Sequence, residues 1–251
     1  MAAIIPIRES DLEFNHGTFD SAGFAATALS NWQALAAVID HTLLKPDATR
    51  AQVEALCEQA AKYRFACAMI NPIWVPTAVR VLAGTGVPVG VVIGFPLGAS
   101  LVSTLRHEAA SVTRLGAREV DMVLPIGQLK SGNHQAVHNA IQAAATVAHQ
   151  NGAILKVILE TCLLTVEEKL RAAEIAIQAG TDFLKTSTGF STGGATAADV
   201  ALLRGVAGAR SGVKASGGIR TLADVRTLLE AGANRIGASA SVSILRELGA
   251  E

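Results

Sequence analysis

The chain has 251 residues, half of them hydrophobic, enough for one large core or for two smaller domains. Lys plus Arg and Asp plus Glu number 21 each, so no global field draws the protein to nucleic acid or an anionic membrane, and any anion site must be local. The three cysteines (Cys57, Cys67, Cys162) are odd in number and lack metal-ligand spacing, which argues against a disulfide framework and a zinc site and favours a reducing cytoplasm; no apolar run reaches the roughly 20 residues of a membrane span, and residues 1–10 lack a signal-peptide core.

Residues 1–35 carry turn formers (Asn15, His16, Gly17, Ser21, Gly23) without sustained periodicity and read as an N-terminal extension with a short helix around 25–32. From residue 36 a short apolar run, a polar or glycine loop and an amphipathic stretch alternate eight times. The expected strands are 36–39, 65–70, 87–93, 119–123, 154–159, 183–186, 213–216 and 235–237. The clearest helices are 49–62, with Thr49 as N-cap, 165–179, where Thr165 and Glu168 make a capping box, and 221–231. Gly116, Gly180 and Gly232 recur between a helix and the next strand, a C-cap reused at equivalent junctions. Alternating strand and helix implies parallel strands with right-handed crossovers. Eight units predict an α/β fold, a single (β/α)8 (TIM) barrel over 36–251; a doubly wound open sheet is the competitor, disfavoured by the unit count and by the absence of a dinucleotide fingerprint.

In a parallel barrel the strand C-termini form the active face, and ionisable residues collect there: Asp40, Cys67, Asp121, Lys156, Glu160, Lys185 and Lys214. A single strand lysine reads best as one that points outward or pairs at the rim. Lys185 and Lys214 fall on neighbouring strands about 4.8 Å apart, so two inward amines would oppose each other's protonation and, with burial, yield a neutral nucleophile for Schiff-base chemistry. Asp121 is the natural proton shuttle; alternation puts Glu119 and Asp121 on one face, and the bland alternative is an Asp121–Lys156 ion pair with no catalytic part. Loops with small residues at 189–194, Gly217-Gly218 and Gly237-Ala238-Ser239 offer backbone amides to a phosphate. Cys67 has no neighbouring base and reads as buried or pocket-lining, His41 faces away from Asp40, and His134 and His138 lack a third ligand.

Together these segments are similar to the deoxyribose-phosphate aldolase family of class I aldolases. The resemblance rests on Ile39-Asp40-His41-Thr42-Leu43-Leu44-Lys45-Pro46, Val92-Ile93-Gly94-Phe95-Pro96-Leu97-Gly98, Glu119-Val120-Asp121-Met122-Val123, Leu155-Lys156-Val157-Ile158-Leu159-Glu160-Thr161, the Lys185 segment through Thr196, Val213 to Arg220, and Gly237-Ala238-Ser239. It implies reversible cleavage of 2-deoxy-D-ribose 5-phosphate to acetaldehyde and D-glyceraldehyde 3-phosphate without metal or organic cofactor, by a homodimer or homotetramer. Lys185 would form the imine, Lys214 would depress its pKa, Asp121 would move protons, and Lys156 and Asp40 would position hydroxyls and the relay. Cys67 and Thr186 would contact the substrate, while Gly189, Gly217, Gly218, Gly237 and Ser239 would hold its phosphate. Two positions depart from some members: Phe190 stands where a lysine follows the glycine, and the chain ends Gly249-Ala250-Glu251 with Tyr63 as its sole tyrosine. Another Schiff-base aldolase on the same barrel, or a non-catalytic sugar-phosphate-binding barrel, remains an alternative.

Overall fold

A computed structural model describes residues 18–251; Asn15, His16 and Gly17 lie outside the described residues. Eight strands, β1 (Ile39–Leu43), β2 (Cys67–Ile70), β3 (Val89–Ile93), β4 (Glu119–Val123), β5 (Ile154–Ile158), β6 (Phe183–Lys185), β7 (Gly212–Ser216) and β8 (Arg235–Ala238), pair in sequence order. Every neighbour is parallel, and β1 pairs with β8 to close the barrel that the alternation predicts.

Eleven helices accompany the strands among the described residues: α1 (Ser21–Ala28), α2 (Trp32–Ala36), α3 (Arg50–Tyr63), α4 (Val75–Val81), α5 (Val102–Arg114), α6 (Ile126–Lys130), α7 (His134–Gln150), α8 (Val166–Gln178), α9 (Ala197–Ala207), α10 (Leu222–Glu230) and α11 (Ser241–Glu247). Where the sequence predicts a helix around 25–32 there are two, α1 and α2, started by the side chains of Asp20 and Asn31. Thr49 caps α3 with Gln52, Thr165 caps α8 with Glu168, and Thr221 caps α10 with Asp224, each a reciprocal pair that satisfies backbone donors at the helix start. Gly116, Gly180 and Gly232 all have positive φ, and a Cβ on Gly232 would press to 2.7 Å from Arg204 Cγ.

The first strand differs from its expected position: 36–39 is mostly helix and turn, and β1 carries the polar run Asp40-His41-Thr42. The reason is that both faces of β1 find partners. Asp40 points inward to Lys214 and Arg235, whereas His41 points outward, stacks on Phe65 at 4.8 Å and pairs with Gln59 at 2.8 Å. The core between sheet and helices is almost wholly aliphatic and small, with Ala residues on the inner faces of α7 and α8 allowing close approach to the strands. Among the described residues no helix is long and apolar enough to cross a membrane.

Candidate active site

Register builds the site. Residues paired across parallel strands share a face, and the pairs Asp121↔Lys156, Lys185↔Lys214 and Lys214↔Arg235 run around the barrel wall. Asp121 stands at the centre: its Oδ1 accepts from Lys156 Nζ at 2.8 Å, and its Oδ2 accepts from both Lys185 Nζ at 2.8 Å and Lys214 Nζ at 2.7 Å. Lys214 also donates to Asp40 Oδ2 at 2.5 Å, and Lys156 reaches Glu119 Oε2 at 2.6 Å. Arg235 closes the ring at 2.9 Å from Asp40 and 3.5 Å from Glu119. Four cations therefore meet three carboxylates inside the barrel.

Burying charge is costly unless partners compensate, and compensation is uneven here. Burial is the main force on Lys185 and lowers its pKa to about 8; Lys214 and Lys156 push the same way, while Asp121 opposes them. Lys156 is as deeply buried, yet Asp121, Glu119 and Asp40 overcome that penalty and hold its pKa well above the ordinary value. Burial would raise the carboxyl groups, but Lys156, Lys185 and Lys214 keep Asp121 well below the carboxylate range, and Lys214, Lys156 and Arg235 bring Asp40 to about 2. The Asp121–Lys156 pair anticipated as a bland alternative exists, inside a larger cluster that also contains the two amines.

A cavity of about 270 Å³ opens above this cluster. Lys185 and Lys214 form its floor, and Gly189, Gly217, Gly218, Gly237 and Ser239 line its wall, as do Thr42, Leu44, Lys45, Thr188 and Phe190. Gly189, Gly217 and Gly218 have φ of +84°, +85° and +80°, a left-handed conformation that glycine adopts without strain. Gly237 has a different use: a Cβ there would stand 3.0 Å from Lys214 Cε, so the missing side chain leaves room for the lysine stem.

Asp40, Asp121 and Lys156 lie beneath the cavity floor rather than on its wall. Two other expected substrate contacts are placed elsewhere. Thr186 is fully buried, and its hydroxyl exchanges hydrogen bonds with the backbone of Ser216, fastening β6 to β7. Cys67 is sealed behind Asp40 and Glu119, with burial as the first cause of a thiol pKa well above the ordinary value. These three residues also form an apparent ligand cluster, but Lys156 and Arg235 already engage its carboxylates.

Arg235, Lys45 and Thr188 carry no role in the sequence reading. Arg235 begins a strand and looks like a rim charge; only its register opposite Lys214 identifies it as inward. Lys45 follows β1, one strand over from the Ser239 loop, and has no carboxylate partner among the described residues. Thr188 is fixed by Glu160, which accepts from both its amide and its hydroxyl; Glu160 itself adopts a left-handed φ of 56° to do so. Phe190 packs edge-on against Phe95 at 5.2 Å beside the mouth.

Residues 34–248 match the family model described as DeoC/LacD family aldolase. The chain is 53% identical over 211 residues to a deoxyribose-phosphate aldolase of Geobacillus sp. (strain WCH70), covering 84% of this chain and 94% of that one. A relative from Listeria monocytogenes serotype 4a, of the same description, is 54% identical with the same coverage. Among solved structures, a tetrameric deoxyribose phosphate aldolase from Aeropyrum pernix superposes with a TM-score of 0.84 at 35% identity, covering 91% of this chain and 96% of that one.

Proposed function

We infer, from the premise that the chain belongs to the DeoC/LacD aldolase family, that it cleaves 2-deoxy-D-ribose 5-phosphate reversibly to acetaldehyde and D-glyceraldehyde 3-phosphate. The observation that carries the reading is the pair Lys185 and Lys214 on one oxygen of Asp121, with Lys185 poised to lose its proton near pH 8.

Neutral Lys185 attacks the aldehyde carbon, and loss of water gives an iminium. Removal of the proton from the C3 hydroxyl then breaks the C2–C3 bond, whose electron pair moves into the iminium to form an enamine while C3 leaves as the aldehyde of glyceraldehyde phosphate. Protonation of the enamine at C2 and hydrolysis release acetaldehyde and regenerate the amine. Asp121, ionised and already bonded to both amines, is the base and acid for these transfers through a water; Lys156 and Asp40 hold its geometry and charge. The amides of Gly189, Gly217, Gly218 and the Ser239 loop receive the phosphate, a dianion above its second pKa of about 6, and Lys45 supplies the cation that Phe190 does not.

A homo-oligomer is part of the same reading, supported by the tetrameric relative and by Ile73, Leu97 and Leu101, each about three-quarters exposed. A cytoplasmic location is supported by three free cysteines.

The test combines product and adduct. Incubation with deoxyribose 5-phosphate is expected to release acetaldehyde, and reduction with borohydride in the presence of acetaldehyde to add an ethyl group at Lys185, seen by peptide mass; Lys185→Leu abolishes both. An adduct without acetaldehyde release points to a different Schiff-base aldolase, and no adduct removes the lysine mechanism.

A further inference from the structure

Arg235 has no task in the reaction just described and does not line the cavity, yet it holds two of the three interior carboxylates. Asp40 is divided between Lys214 and Arg235, with Lys156 farther off, and Glu119 between Lys156 and Arg235. Without Arg235, three lysines would face three carboxylates, and each could keep its proton against one countercharge. With it there is one cation in excess. A guanidinium does not give up its proton in a protein, so it is at a lysine that the excess is relieved as pH rises.

The contacts identify which lysine. Lys156 has Asp121 Oδ1, Glu119 and, at 3.6 Å, Asp40; Lys214 has Asp40 and Asp121. Lys185 has a single carboxylate oxygen, Asp121 Oδ2, which it shares with Lys214. The ionisable groups facing it are Asp121 from β4, Lys156 from β5 and Lys214 from β7, two like charges against one opposite. We propose that Arg235 is a positioning residue for imine formation: its permanent charge occupies Asp40 and Glu119, leaving Lys185 as the amine that goes neutral. Removing Arg235 frees negative charge and takes away a positive one, and both effects hold the proton on Lys185 more tightly.

This inference rests on the Schiff-base reading and deepens it. The rate at which cyanoborohydride traps the acetaldehyde imine at Lys185 is measured from pH 6 to 10. For Arg235→Met the midpoint is expected to move to higher pH by about one unit, making trapping at pH 7 about tenfold slower. Glu119→Gln removes a carboxylate instead and should move the midpoint the opposite way. The double variant Arg235→Met/Glu119→Gln restores the excess of one cation and should return near the parent, as should Arg235→Lys. Midpoints that stay at the parent value in both single variants overturn the proposal, as does a double variant that behaves like Arg235→Met. Should Arg235→Met not fold, Glu119→Gln alone decides by the direction of its shift. Absence of any adduct in the parent protein would instead refute the Schiff-base reading itself.

Discussion

Charging Lys185 inside the barrel costs free energy that the neutral amine does not. Its folded-state pKa of about 8 lies below the ordinary 10.5, so between these values the unfolded chain binds more protons and stability rises with pH. Below pH 8 the native state carries the whole penalty, roughly 3 kcal/mol. Lys185→Met is therefore expected to unfold at the same or a higher temperature than the parent at pH 7, since Asp121 keeps Lys156 and Lys214. Thermal unfolding of both proteins at pH 7 checks this; a clear fall for the variant would mean that Asp121 depends on the Lys185 ammonium. Lys185, Lys214 and Asp121 were legible in the sequence because polar residues in short apolar strands have few explanations. Thr186 is also polar and at a strand end, but it follows Lys185, and alternation turns it to the other face, where its hydroxyl bonds to the backbone of Ser216. Arg235 was illegible because sequence position carries no register, and at a strand's first residue an arginine reaches solvent as readily as the interior.

At the scale of elements, the caps and most strands could be read locally, while β1 was displaced because its polar residues are stabilised only by distant partners. The β4 unit holds two helices, α6 and α7, a division that rests on the turn at 131–133. Strand β3 shows what a glycine decides at this scale. Gly90 pairs with Met69 and Glu119, and its bare face accommodates Cys67 and Met69, which pack with Leu44 and Val92 as a small apolar cluster beside the charges. A Cβ there would collide with Cys67 Sγ and lie 2.6 Å from Met69 Cε. Met69 can swing, but the short cysteine side chain cannot, so Gly90→Ala should cost about 1–3 kcal/mol. A denaturant titration measures it, and an unchanged midpoint would show that β2 and β3 separate without strain.

The whole molecule was readable as eight units, yet closure was an inference from their number, and the charge pattern inside follows only once the wall is complete. That interior ties stability to acid. Asp40, at about 2, and Asp121, well below the carboxylate range, have folded-state pKa values under the roughly 3.9 of an unfolded aspartate. Their contribution is fully present above pH 4 and is lost as pH falls toward 2, with Asp40 alone giving up about 2 kcal/mol. By pH 3 about half of that is lost, so the urea midpoint should be lower at pH 3 than at pH 5, and equal midpoints would mean that the cluster survives protonation.

The direct pairing of Lys185 with Lys214 makes frame in β6 a matter of chemistry as well as folding. That strand has three residues, so one inserted residue would turn the amine toward the helices and leave Asp121 facing an apolar side chain. Rearrangements of the gene meet different limits at the two ends of the barrel. A circular permutation opened between a helix and the following strand leaves the interior pairing in register, whereas a break between β6 and α9 severs the wall that carries Thr188 and Gly189. Shuffled barrels of this chain would accordingly be recoverable as active proteins when their new termini fall on the face remote from the cavity.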